Sequence, residues 1–158
     1  MSVNDDAPPT DAELAAAQAC IESWLERTLA ENPVVQAVER DDTTGERRWF
    51  VRVTGEQKPV FSVWFHLRQR SLHVETYVMP APMERHGEFF EHLLRRNSRF
   101  HGLAFAVGAE DAVYLIGQIP VDRIHEAELD RLLGSTYAYV EQCFRPAMRL
   151  GFGARFTG

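Results

Sequence analysis

Cysteine is scarce in this chain: Cys20 and Cys143 are the only two in 158 residues. Two thiols cannot build a disulfide framework, and their separation has no metal-ligand spacing. Each lies among apolar residues of a helical stretch, so buried, reduced thiols are expected. A bridge between the first and last helices is the sharper alternative, against which a cytosolic location argues. Long apolar runs are missing too, none approaching the ~18 residues of a membrane span. The opening Met-Ser-Val-Asn-Asp-Asp has neither the basic nor the apolar region of a secretory signal. A cytoplasmic protein without a membrane partner is the expectation. Positive charge is not in excess: the formal net charge is -6. Residues 1–31 hold seven acidic side chains against Arg27 alone, and the remainder is balanced. Without a basic field, nucleic acid is a disfavoured partner.

Catalytic signatures are equally sparse. No Gly-x-Ser-x-Gly elbow occurs, and neither cysteine has a histidine placed by sequence logic. Gly151-x-Gly153 has no helix after it and is no phosphate cradle, while Glu91-His92 lacks the second histidine of a zinc-binding helix. His66 and His73 fall on adjacent strands with Glu75 nearby, the makings of a loose two-histidine, one-carboxylate site. Ordinary exposed strand residues are the simpler account. Arg95, Arg96, Arg99 and His101 read as the solvated C-terminal end of a helix, where cations are favoured. Neither a metal, a cofactor nor an enzymatic activity is expected.

What is present is alternation. One domain fits the length. Residues 1–10 read as a loose arm, 11–153 as the domain and 154–158 as a tail. A first helix, capped by Thr10 or Asp11, runs to about Glu31 and carries Leu14, Ala17, Ile21, Leu25 and Thr28 on one stripe with Trp24 beside it. Asn32-Pro33 ends it. Four strand-like runs follow: Val34–Arg40, Arg47–Thr54, Val60–Arg68 and Leu72–Met79. Their short connections require antiparallel neighbours. Pro80-Ala81-Pro82 opens a second helix with Phe89, Phe90, Leu93, Leu94 and Asn97 on its apolar side. Gly102 stops it. Leu103–Val107 and Val113–Ile119 form a hairpin. A last helix starts near Glu126 and carries Leu129, Leu132, Leu133, Thr136, Val140, Phe144 and Ala147, with a kink or break expected at Pro146 and a stop at Gly151. The predicted class is α+β, with order α-β-β-β-β-α-β-β-α.

These segments resemble the YbjN-domain family in its actinobacterial form. The likeness rests on Arg48-Trp49-Phe50-Val51-Arg52, Val63-Trp64-Phe65, Leu93-Leu94-Arg95-Arg96-Asn97, Gly102-Leu103-Ala104-Phe105-Ala106-Val107 and Tyr114-Leu115-Ile116-Gly117-Gln118-Ile119-Pro120. Leu129-Asp130-Arg131-Leu132-Leu133-Gly134 and Leu150-Gly151-Phe152 complete it, so residues 14–153 are covered in order. The resemblance implies the fold of type III secretion chaperones: a twisted antiparallel sheet, helices at both ends and one between strands. It also implies a non-enzymatic, usually dimeric protein that binds extended segments of other proteins, or a sensory-transduction regulator.

The sheet's second face carries more apolar side chains than a solvated face needs. If Phe61, Val63, Phe65 and Leu67 point to the helices, Val60, Trp64, His66, Tyr77, Met79, Tyr114 and Ile116 line the other side. Such a patch marks a protein interface. Cover by a terminal helix is the plainer alternative. Phe89, Phe90, Leu93 and Leu94 make an arc wide enough to face both sheet and partner, the expected homodimer surface. The alternative is a ligand-sensing domain with a small molecule between sheet and helices.

Overall fold

Each apolar stripe of the sequence becomes one side of a two-layer packing in the computed structural model, which describes residues 7–156. The first helix, α1, spans Asp11–Glu31. Thr10 caps it, its hydroxyl accepting from the Glu13 amide at 3.1 Å, and Asp11 and Glu13 stand in the first turn where the helix dipole favours acids. Its buried residues are Leu14, Ala17, Ile21, Trp24, Leu25 and Thr28, the stripe expected from spacing. Strands β1 (Val35–Asp41), β2 (Arg47–Thr54), β3 (Val60–Leu67) and β4 (Ser71–Met79) form an antiparallel meander. Helix α2 (His86–Asn97) then leads to the hairpin β5 (Leu103–Val107) and β6 (Val113–Pro120), and α3 (Glu126–Phe152) closes the chain. The six-stranded sheet runs β1-β2-β3-β4-β6-β5 with every pair antiparallel.

The core lies between the helices and one face of the sheet. Trp49, Val51 and Val53 from β2, Phe61, Val63 and Phe65 from β3, Leu72 and Val74 from β4, and Val113 and Leu115 from β6 are all buried. They pack under Ile21 and Trp24 of α1 and Leu129, Leu132 and Val140 of α3, also buried. Phe89 and Leu93 of α2 complete this layer. The strand and helix order is the expected one.

Three local expectations are corrected. The second helix starts at His86 rather than at the prolines, because Arg85 adopts a left-handed conformation (φ 51°) that no α-helical turn accommodates. Helix α3 does not break at Pro146 and includes Gly151; Ala147, beside the proline, is fully buried, so packing keeps the helix continuous where local preference opposes it. Met79 was expected on the outer face and is buried. A bulge between Tyr77 and Met79 breaks the alternation and turns both Val78 and Met79 inward. The Lys58 ammonium donates to the carbonyls of Tyr77 and Val78 in this stretch, at 2.8 and 2.7 Å. The arm and tail expected at residues 1–10 and 154–158 lie partly outside the described residues; of the tail, the Ala154 amide donates to Glu84 Oε1 at 3.1 Å.

The β2–β3 turn is fastened from across the core. The Glu141 carboxylate, on α3, accepts from the backbone amides of Glu56, Gln57 (2.8 Å) and Lys58 (3.1 Å). Removing that acceptor leaves three amides unpaired. Glu141→Ala is expected to lower stability by about 1–3 kcal/mol, read as a lower urea midpoint with an unchanged slope.

Candidate functional site: the open face of the sheet

All three helices cover one face, and the residues of the opposite face remain at the surface. Pairing registers align that face in transverse rows. Phe50 of β2 stands opposite Trp64 of β3, Trp64 opposite Glu75 of β4, Glu75 opposite Ile116 of β6, and Ile116 opposite Ala104 of β5. A second row runs Asp41, Arg48, His66, His73 and Gln118. A third pairs Tyr77 with Tyr114 and Tyr114 with Ala106. Same-face neighbours in such rows stand ~5 Å apart, close enough for direct side-chain contact.

A groove of about 830 Å³ is lined by Glu46, Arg48, Trp64, His66, Arg68, His73, Glu75, Ile116 and Gln118, with Gly102, Leu103, Ala104 and Gly117 also at its wall. Gly117 is required there: a Cβ would sit 2.4 Å from the Gly102 carbonyl oxygen.

Aromatic stacking fixes the groove's side chains. Trp64 tilts against Phe50 at 5.1 Å between centroids, and the Arg48 guanidinium lies 4.9 Å from the Trp64 ring. Arg48 also stands 3.6 Å from Asp41. Tyr77 meets Tyr114 edge-on at 5.7 Å. Tyr77 is 44% and Ile116 40% exposed, while Trp64 is half-buried.

The two histidines stand directly opposite each other. His66 Nδ1 accepts from Arg68 Nε at 3.3 Å, which assigns the ring proton to Nε2, 3.6 Å from Glu46. His73 Nε2 bonds the Ser71 hydroxyl at 3.0 Å. Burial, helped by the nearby arginines, holds both below the ordinary histidine pKa. Among the described residues no group of three or more His, Cys, Asp or Glu is placed to hold a metal ion. The loose His66, His73 and Glu75 set therefore does not assemble.

Of the seven side chains expected on this face, Val60, Trp64, His66, Tyr77, Tyr114 and Ile116 share it and Met79 does not. Sequence reasoning missed Arg48, Phe50 and Gln118. The alternation of Arg48, Phe50 and Arg52 against Trp49, Val51 and Val53 carried the signal for the first two. Which strand lies beside β4 was not in the local pattern, so the position of Gln118 was not.

The expected dimer arc divides. Phe89 and Leu93 are buried against the chain's own core, whereas Leu94 is 66% exposed and Phe90 half-buried. Phe90, Leu94 and the edge-strand residue Val107 border an apolar concavity of about 360 Å³. Asn97 clips the free edge of β5 beside it, accepting from the Phe105 amide at 2.7 Å and donating to the Phe105 carbonyl at 3.3 Å. The side-chain amide thus takes the place of a pairing strand.

The architecture is α+β: one antiparallel sheet, helices on a single face, and the opposite face at the surface. Known proteins agree. The chain belongs to the YbjN family, whose model, described as "Putative bacterial sensory transduction regulator", matches residues 21–147. An uncharacterized protein of Mycobacterium tuberculosis is 31% identical over 102 residues, covering 65% of this chain and 56% of that protein. One from Mycobacterium leprae is 30% identical over 108 residues, covering 68% and 59%. The chain thus spans just over half the length of these relatives. Among solved structures it is similar to the ExsC–ExsE complex (TM-score 0.59, 16% identity, 81% of this chain and 93% of that one). It is also similar to the HopA1–SchA chaperone–effector complex (TM-score 0.58, 12% identity, 87% and 99%). At those identities the likeness is one of fold. Among the described residues no helix is long and apolar enough to cross a membrane.

Two measurements check the site's geometry. Trp24 and Trp49 are 0% and 1% exposed, so acrylamide quenching of tryptophan emission is expected to act on Trp64, and Trp64→Phe to abolish the quenchable component. Histidines with depressed pKa values bind fewer protons folded than unfolded near pH 6. Their contribution to stability is complete above ~6.5, the ordinary histidine value, and is lost as pH falls through the folded values. The urea midpoint is expected to drop on acidification below that point. The double variant His66→Gln/His73→Gln is expected to flatten most of the drop, with the remainder traced to His92, which burial and Arg96 also hold low.

Proposed function

We propose that this protein is a non-enzymatic, protein-binding module of chaperone-like or regulatory type that docks a segment of a partner protein on the open face of its sheet. The observation that carries the reading is the set of aromatic and aliphatic side chains, Phe50, Trp64, Tyr77, Tyr114 and Ile116, on a sheet face that no helix covers among the described residues, with Trp64 and Ile116 lining its groove. An extended partner segment laid on such a face gains affinity from alternate side chains seated along it. The similar solved structures support the reading, since one is titled a chaperone–effector complex. The family's regulator description fits the same binding role. The tight interior, with Trp24, Trp49, Phe65 and Phe89 at 0–1% exposure, favours this over a small-molecule sensor with its ligand between sheet and helices.

The proposal includes a homodimer through Phe90, Leu94 and Val107, where apolar surface continues from α2 onto the β5 edge. It also includes a cytoplasmic location without nucleic-acid or membrane partners, in keeping with two free thiols and an acidic net charge. Under this proposal residues 11–153 form the binding domain.

Two tests follow from separate surfaces. A photo-crosslinking amino acid at Tyr77 is expected to trap a partner segment in cells, and Trp64→Ala to abolish the crosslink with unchanged far-UV circular dichroism. Loss of folding in Trp64→Ala, with no crosslink from any open-face position, would count against the docking reading. Sedimentation of the wild type is expected to show a dimer at micromolar concentration, and Leu94→Glu a folded monomer. A wild type that stays monomeric at high micromolar concentration removes the dimer.

A further inference from the structure

Glu75 occupies the middle of β4, a central strand, on the open face. Trp64 stands directly opposite on one side and Ile116 on the other. Every other charged or titratable group lining the groove is engaged. Arg48 lies over the Trp64 ring and near Asp41, and Arg68 donates to His66. Glu46 faces His66 Nε2 at 3.6 Å, and His73 bonds Ser71. Glu75 is exposed and makes no hydrogen bond or ion pair among the described residues. Charges on sheets commonly serve to keep edge strands from pairing with other chains. That account does not apply to a strand with hydrogen-bonded neighbours on both sides. A carboxylate between an indole and an isoleucine, coupled to His66 and His73 only through space, presents the complement of a lysine or arginine: apolar surface for the stem and an anion for its head.

Building on the docking reading above, we infer that the segment bound on the open face carries a basic side chain seated at Glu75, its aliphatic stem lying between Trp64 and Ile116. The partner class is an extended, cationic segment of another protein. The contact selects among segments more than it adds affinity, because an ion pair in a solvent-open groove is weak. Arg48 in the next row and Arg68 just beyond β3 would in turn disfavour a second basic residue placed toward His66. A single basic residue flanked by uncharged or acidic neighbours is therefore the expected pattern.

A random linear peptide library displayed on phage, selected against the full chain, tests this. Selections run in parallel on Trp64→Ala and Ile116→Ser identify the peptides that use the open face, the second variant standing in if the first fails to fold. Peptides lost on either variant are expected to be enriched in Lys or Arg over the input library. For one such peptide, Glu75→Gln is expected to weaken binding about two- to fivefold. The same peptide with its basic residue changed to Gln should bind wild type and Glu75→Gln alike. Glu75→Lys is expected to select acidic peptides instead. If face-dependent peptides show no basic enrichment, prefer acids, or match a stretch of this chain itself, the inference is overturned while docking on the face stands. If no enriched peptide depends on Trp64 or Ile116, the docking reading fails and takes the inference with it.

Discussion

The seating of Trp24 holds the two layers of this protein together. Its ring meets Phe65 of the sheet edge-on at 5.4 Å, and its indole N–H donates to Asp130 of α3 at 2.8 Å. One side chain thereby links the first helix, the last helix and the middle of the sheet. Arg27, one turn along α1, reinforces the crossing with ion pairs to Glu126 and Asp130 at 3.5 and 3.3 Å. Because the first and last helices converge on the same face, they spend their apolar stripes there, and among the described residues no helix covers the other side. The open face is a consequence of that commitment.

An uncovered face on a six-stranded sheet needs side chains that tolerate water without pulling the sheet apart. Here the solution is lateral. Arg48 shields the Trp64 ring, Tyr77 and Tyr114 shield each other, and the His66 and His73 pair is tied by Arg68 and Ser71. These contacts reduce the apolar area shown to solvent and leave a groove in which Trp64 and Ile116 stand among charged and polar side chains. The backbone of the sheet's β5 edge is managed separately, by Asn97 clipping it at Phe105, which blocks strand addition there.

Much of this was legible in the chain. The buried stripe of α1 follows from 3.6-residue spacing, and the inward sides of β2 and β3 follow from strict alternation of Trp49, Val51, Val53 and of Phe61, Val63, Phe65, Leu67. Six of the seven expected face residues share that face for the same reason. Met79 departed from it because a bulge shifts the period by one, and bulges leave no mark in hydropathy. Phe89 and Leu93 parted from Phe90 and Leu94 because an amphipathic arc states only that a helix has an apolar side. How far the neighbours wrap around it is set by packing.

The sequence by itself determined the order of elements, the antiparallel meander forced by short connections, the family, and which alternate side chains share a strand face. Those are local properties, written in period and turn chemistry. Tertiary structure alone decided that β6 rather than β5 lies beside β4, which places Ile116 next to Glu75 and Tyr114 next to Tyr77. It decided too that α3 runs on through Pro146 and that all three helices gather on one face. These outcomes depend on contacts between residues far apart in the chain, whose free energy no window of sequence contains.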